Sequence, residues 1–188
     1  MRYRLNLSLL SPVVFFLAPI SFANASAINF QVYLQSADRS QSIAIARITA
    51  KPEKDVYRYT VSMNEKVFGD YFLAMRPFKC TTDDANMLCH LAYPYELDRS
   101  FSDGSFMALE YDFLFIKRKS TDYGINPWHG LYYRMQKHGD GYVGVAHDVD
   151  LNVLAVPPEG TDFPIQYDEV HETELEALWM PYLVIKPE

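Results

Sequence analysis

GDYFLAMRPFKC (residues 69–80), TTDDANM (81–87) and LCHLAYPYE (88–96) run on without interruption through the middle of the chain. From Tyr71 to Tyr95 this stretch reads as a β-hairpin. Both arms are rich in aromatics, and Thr81, Thr82, Asp83, Asp84 and Asn86 between them are turn formers that break a strand or helix pattern. The only two cysteines, Cys80 and Cys89, fall one on each arm. Set opposite each other across an antiparallel pair they predict a disulfide, with Phe78 facing Leu91, Arg76 facing Tyr93 and Ala74 facing Tyr95. Tyr71, Leu73, Met75 and Ala92 then fall on the other face. Closing so small a loop contributes roughly 2 to 3 kcal/mol to stability.

A disulfide needs an oxidising compartment, and the start of the chain supplies the address. Residues 1–27 read as a secretion signal peptide: Arg2 and Arg4 lead, an apolar core runs from Leu9 to Ile20, and Ala23-Asn24-Ala25 or Ala25-Ser26-Ala27 offers a cleavage site after Ala25 or Ala27. Pro12 and Pro19 interrupt the apolar run, which falls short of the ~20 residues that span a bilayer. The expectation is a bacterial periplasmic or secreted chain with no transmembrane segment after signal removal. Removing the signal takes away its only charges, Arg2 and Arg4, so the formal net charge moves from -7 to -9. So acidic a chain repels phosphate backbones, and the densest basic run, Lys117-Arg118-Lys119, is short and followed by Asp122; no nucleic-acid partner is expected. What remains, 28–188, is long enough for a single β-rich domain, and 49% hydrophobic residues provide the material for a core.

The clearest hairpin is SIAIARITA, a turn at Lys51-Pro52-Glu53-Lys54-Asp55, and VYRYTVSM, where Tyr57, Tyr59, Val61 and Met63 alternate with Arg58, Thr60 and Ser62. Strands are expected at Ile28 to Leu34, Ser42 to Ala50, Val56 to Met63, Tyr71 to Cys80, Leu88 to Tyr95, Leu109 to Lys117, Leu131 to Lys137 and Tyr142 to Leu151. Of these, Leu109 to Lys117 is ambiguous, since Phe106, Leu109, Phe113 and Ile116 also fit a helical stripe. Trp128 is expected to anchor the loop from Ser120 to Gly130 by burial. Val170 to Met180 reads as a short helix ended by Pro181, with YLVIK as a last strand. About eight antiparallel strands joined as neighbours favour an up-and-down barrel of lipocalin or calycin type, with the C-terminal helix outside. A two-sheet β-sandwich is the alternative.

Catalytic motifs are mostly absent. Gly139-Asp140-Gly141-Tyr142-Val143-Gly144 matches G-x-G-x-x-G, but the residues after it are strand-like, so no helix N-terminus follows to hold a pyrophosphate. Asp148-Val149-Asp150-Leu151-Asn152 opens like a calcium loop and lacks its later glycine and closing glutamate. His147 beside Asp148 and Asp150 is the nearest thing to an acid/base cluster. On a strand the two carboxylates share a face and would serve a hydrolase as acid and base. Acidic residues are more often solvated, which is the plainer reading. For metal, Met87, Cys89 and His90 offer thioether, thiolate and imidazole, a copper-like set that competes with the disulfide for Cys89. A C-x-x-C redox pair and a four-ligand zinc site are missing. No cofactor is expected.

MRPFKC…LCHLAYPYE, from Met75 to Glu96, and YGINPWHGLYYRM, from Tyr123 to Met135, resemble recurrent segments of uncharacterised secreted proteobacterial proteins. That resemblance spans most of the chain after the signal and implies no activity or cofactor. The functional expectation is therefore a non-enzymatic periplasmic or secreted domain that binds a small apolar molecule or another envelope protein, with an acid/base hydrolase or a metal-handling protein as alternatives.

Overall fold

A computed structural model describes residues 26–157, 160 and 162–188; residues 1–25 of the expected signal peptide lie outside the described residues. Its strands are β1 (Ile28–Gln35), β2 (Ser42–Glu53), β3 (Val56–Met63), β4 (Gly69–Phe72), β5 (Pro77–Thr82), β6 (Asn86–His90), β7 (Ser100–Phe101), β8 (Phe115–Lys119), β9 (Gly130–His138), β10 (Gly141–Val149) and β11 (Tyr182–Pro187). Among the described residues there is one short α-helix, α1, at Met107–Tyr111. All strands belong to one antiparallel sheet in the order β4-β5-β6-β8-β9-β10-β11-β1-β2-β3-β7.

This open sheet corrects the expected eight-strand barrel, and it is a single sheet rather than a sandwich of two. The decisive step is made by β11. It inserts between β10 and β1, pairing Ile185 with both Tyr142 and Val32, so the last strand joins the two halves of the chain side by side. The outer strands β4 and β7 do not pair with each other. One face still gathers a single core: Val32 and Leu34 of β1, Ile48 of β2, Tyr59 of β3, Tyr133 of β9 and Leu183 of β11 share a cluster with Phe101, Leu109 and Phe113. Around β8 to β10 the opposite face is covered as well, by a second cluster of Tyr111, Leu114, Ile116, Tyr132, Val149 and Ile165. Burial on both faces explains why FLFI and LYYRM lack clean polar alternation.

The β2–β3 hairpin forms with a tighter turn than the sequence suggests. Glu53 pairs with Val56, leaving Lys54 and Asp55 as the loop, and Lys54 takes a positive φ of 55°. In the central stretch, Cys80 stands opposite Cys89 and the two are disulfide-bonded. The arms differ from expectation. The chain turns between Phe72 and Pro77, so Tyr71 pairs with Phe78 and the first arm is itself a hairpin, β4–β5. The ladder with β6 stops at Lys79–His90, so the expected pairs of Phe78, Arg76 and Ala74 with Leu91, Tyr93 and Tyr95 do not form. Beyond His90 the Leu91 amide donates to the Leu114 carbonyl (2.9 Å), while the Tyr93 and Tyr95 hydroxyls donate to the carbonyls of Asp162 and Leu154 (3.0 and 3.1 Å). These aromatics anchor a crossing segment instead of a strand.

Three further expectations fail locally. Residues 106–118 divide, α1 taking the helical spacing of Phe106 and Leu109, and β8 the strand spacing from Phe115 onward. Val170 to Met180 is extended, with only a 3₁₀ turn at Leu175–Ala177. A helix of that length is marginal alone. Here the backbone of His171 is drawn into two hydrogen bonds with Asp148, both 2.9 Å. Trp128 does not anchor its loop by burial, with 68% of its surface exposed.

Candidate binding cleft

The sheet has a step in it. β8 pairs with β6 along its full length, from Phe115 to Lys119, but with β9 only at Phe115 and Ile116. β9 cannot start earlier because Pro127–His129 forms a 3₁₀ turn, capped by the Asn126 side chain accepting from the Trp128 amide (3.1 Å). Gly130 then has to be glycine, since a Cβ there would lie 2.5 Å from both Leu151 and the Val149 carbonyl. Lys117, Arg118 and Lys119 therefore project past the beginning of β9 with a strand partner on one side only.

The segment after His171 lies across this step. Between it and the sheet runs a cleft of about 580 Å³. Leu88 and Leu131 contribute from the sheet, and Ala177, Leu178, Trp179 and Met180 from the overlying segment. The Trp179 indole N–H donates to Gln41 Oε1 (2.9 Å), which ties that wall to the β1–β2 connection. Such a volume falls within the few hundred to ~1,000 Å³ of small-molecule sites.

Charge is distributed unequally around the apolar interior. Lys117 Nζ is ion-paired with Asp148 Oδ1, and both line the cleft. Lys119 Nζ donates to Asn86 Oδ1 (2.8 Å). Arg118 donates from Nη1 to Met87 Sδ (3.2 Å) and from Nη2 to the Asp122 carbonyl, while its Nε is buried without a partner. Among the described residues neither Arg118 nor Lys119 has a carboxylate partner, and neither Glu172 nor Glu174 on the opposite wall has a cationic one. By strand alternation Arg118, seated on Met87, lies on the other face of β8 from Lys117 and Lys119, and Lys119 has the Asp83 and Asp122 carboxylates nearby, so of the two walls it is the overlying one, with Glu172 and Glu174, that carries unpaired charge.

The residues singled out in the sequence do not assemble. Asp148 faces the cleft with its charge engaged by Lys117. Asp150 lies beyond the end of β10 and caps the turn Leu151–Ala155, its Oδ1 accepting from the Asn152 amide (2.9 Å) and side chain (2.7 Å). His147 alternates to the other face of β10, with Nδ1 donating to the Val145 carbonyl (2.9 Å). On the metal side, Cys89 Sγ is bonded to Cys80, and Met87 Sδ receives Arg118. His90 Nε2 donates to the Asp112 carbonyl (3.0 Å), and its ring packs between Phe68 and Phe115, where burial lowers its pKa. Among the described residues no group of three or more His, Cys, Asp or Glu is placed to hold a metal ion.

Two buried carboxylates had no signal in the sequence. Glu110, 1% exposed, accepts from Tyr132 Oη (2.6 Å), Tyr167 Oη (3.0 Å) and the Met135 amide (2.6 Å). Burial raises its pKa against those donors. Asp112 receives Arg99 through Nε (3.1 Å) and Nη2 (2.9 Å), and Tyr59 Oη (2.9 Å). Both are satisfied in place and away from the cleft, so they hold the fold together rather than present chemistry. Tyrosine, with 14 residues in the chain, supplies three of their six donor groups.

A smaller opening of about 350 Å³ lies beside the disulfide hairpin between Phe78, Leu91, Ile125 and Leu154, with Arg76 at its edge. Phe72, Met75, Tyr123 and Trp128, on the neighbouring turns, are all largely exposed.

No family model, curated protein or solved structure matches this chain.

Proposed function

We propose that this chain is a non-enzymatic binding domain of the bacterial periplasm or cell exterior, and that it holds a small, largely apolar molecule in the cleft between β8 and Glu172–Met180. The observation that carries the reading is the cleft itself: about 580 Å³, with apolar residues on both walls and polar and charged residues around them. Export is supported by the Cys80–Cys89 disulfide. Hydrolysis by Asp148, Asp150 and His147 is disfavoured because one carboxylate is ion-paired and the other caps a turn. Metal handling by Met87, Cys89 and His90 is disfavoured because the thiolate is consumed in the disulfide.

Native mass spectrometry of the mature protein, purified from the compartment to which it is exported, tests this. A retained small-molecule mass that is lost in Leu178→Glu supports the proposal. Protein free of added mass, with no uptake of apolar probes, sinks it. A second reading, in which the contact is another envelope protein, is favoured by the exposed Phe72, Met75, Tyr123 and Trp128 around the smaller opening. The same spectra would then show a protein-sized addition, removed by Met75→Lys and indifferent to Leu178→Glu.

A further inference from the structure

The smaller opening beside the disulfide hairpin has a chemistry of its own. Its walls are apolar, with Phe78, Leu91, Ile116 and Leu154 around about 350 Å³. Arg76 is the one charged residue lining it, in a chain with 24 acidic residues against 17 basic ones. The Arg76 guanidinium lies 5.4 Å from the centre of the Phe78 ring, and among the described residues no carboxylate pairs with it. The rim gathers most of the large apolar side chains that the described surface exposes. Of eight such residues, Tyr95 belongs to the wall, and Met75, Trp128 and Val156 adjoin the wall residues Arg76, Pro127 and Ala155 in the chain. Tyr123 comes with them, because a Cβ on the next residue, Gly124, would lie 3.5 Å from the Leu73 carbonyl oxygen, which sets the two turns side by side. Asp122, next to Tyr123, turns its carboxylate to the Lys119 amide (2.8 Å).

We infer that this end of the molecule docks on the surface of a phospholipid bilayer, with Met75, Tyr123 and Trp128 entering the headgroup region and Arg76 meeting a lipid phosphate. The charge is complementary: a cation without a carboxylate partner, set among apolar groups, matches a phosphodiester that lies directly above acyl chains. The relief fits as well. Met75 and Tyr123 are fully exposed and stand on separate turns, so each projects singly. A protein partner has to match that relief, whereas a bilayer interface yields around each side chain. Tyrosine and tryptophan, apolar rings with one polar atom, are the residues that settle at that depth. Because the chain as a whole is acidic, apolar insertion rather than long-range charge drives the docking, and anionic lipid is not required. None of this depends on the cleft proposed above.

Flotation of the mature protein with phosphatidylcholine vesicles tests the inference. The protein floats with the vesicles, and Met75→Ser/Tyr123→Ser, which withdraws two inserted side chains, weakens binding roughly tenfold or more. Arg76→Gln weakens it roughly two- to fivefold, the range of one exposed ion pair. In Trp179→Phe, which leaves Trp128 as the only tryptophan, emission moves to shorter wavelength on addition of vesicles and is quenched by brominated acyl chains. Met75, Arg76 and Tyr123 are all exposed, and circular dichroism of each variant checks that it folds as the parent does. Leu178→Glu, in the cleft, leaves vesicle binding unchanged, so the two proposals stand or fall separately. Protein that stays behind when the vesicles float, or that floats equally well in Met75→Ser/Tyr123→Ser, overturns the inference. A protein-sized addition in native spectra of a chain that ignores vesicles also overturns it, and assigns the patch to another envelope protein.

Discussion

Glu110 shows what a single residue contributes to this fold. Its carboxyl is enclosed, and its three donors come from β9 and from the segment carrying Tyr167, so it stitches α1 to both. Because burial raises its folded pKa above the unfolded value, the folded state binds the proton more tightly. Its contribution to stability is therefore greatest below the unfolded pKa and declines as pH rises through the folded one. Urea unfolding of the parent and of Glu110→Gln, from about pH 4 to about pH 8, checks this: the parent loses stability relative to the variant as pH rises through that window. A pH-independent difference would refute the assignment. The glycines of the G-x-G-x-x-G match are explained at the same scale. Gly139 takes a φ of 59° in the β9–β10 turn, and a Cβ on Gly141 would lie 2.1 Å from the Ile185 carbonyl oxygen. The motif is a packing solution for β10 beside β11. The reason for its glycines becomes visible only once β11 is placed beside it.

Among the elements, the stapled hairpin β5–β6 was legible to the residue at its centre and misread at its ends. Turn formers and paired cysteines fixed the Cys80–Cys89 register through local chemistry. The arms were decided elsewhere, by β4 folding back on β5 and by Tyr93 and Tyr95 reaching residues more than 50 positions away. Replacing both cysteines by serine lowers stability by about 2 to 3 kcal/mol, the loop-closure value for so short a ring, as read from denaturant midpoints under oxidising conditions. A loss well above that would mean that the small cluster of Phe78 and Met87 depends on the staple for its packing. The segment Val170–Met180 was misread for a related reason. Its apolar spacing allowed a helix, but the backbone pairing of His171 with Asp148 holds it extended, and the cleft exists because it is extended.

For the whole molecule, β11 is the strand on which closure of the core depends. Leu183 and Ile185 are fully buried on the inner face, while Val184, one residue over, points outward and is half-buried. Ile185→Ala costs about 2 to 5 kcal/mol, as expected for emptying a buried aliphatic site. Val184→Ala, on the outer face, costs about 1 kcal/mol or less. Thermal and denaturant unfolding of the two variants gives the comparison, and equal losses would contradict the topology in which β11 separates β10 from β1. Opening those two strands also exposes two unpaired edges, so variants that weaken β11 are expected to aggregate on unfolding, detectable by light scattering.

The sequence by itself determined the strand-rich character, the hairpins β2–β3 and β9–β10, and the Cys80–Cys89 pair, because alternation, turn residues and a short cysteine spacing act between neighbours. It also carried the charges that now line the cleft, without indicating that Lys117, Lys119, Glu172 and Glu174 would come to border one opening. Tertiary structure alone decided that the sheet stays open, that its final strand lies between the first and the tenth, and that the Glu110 carboxyl is enclosed by tyrosines. Those outcomes depend on contacts between segments far apart in the chain, and no local pattern of residues encodes which distant partner a strand edge or a buried acid will find.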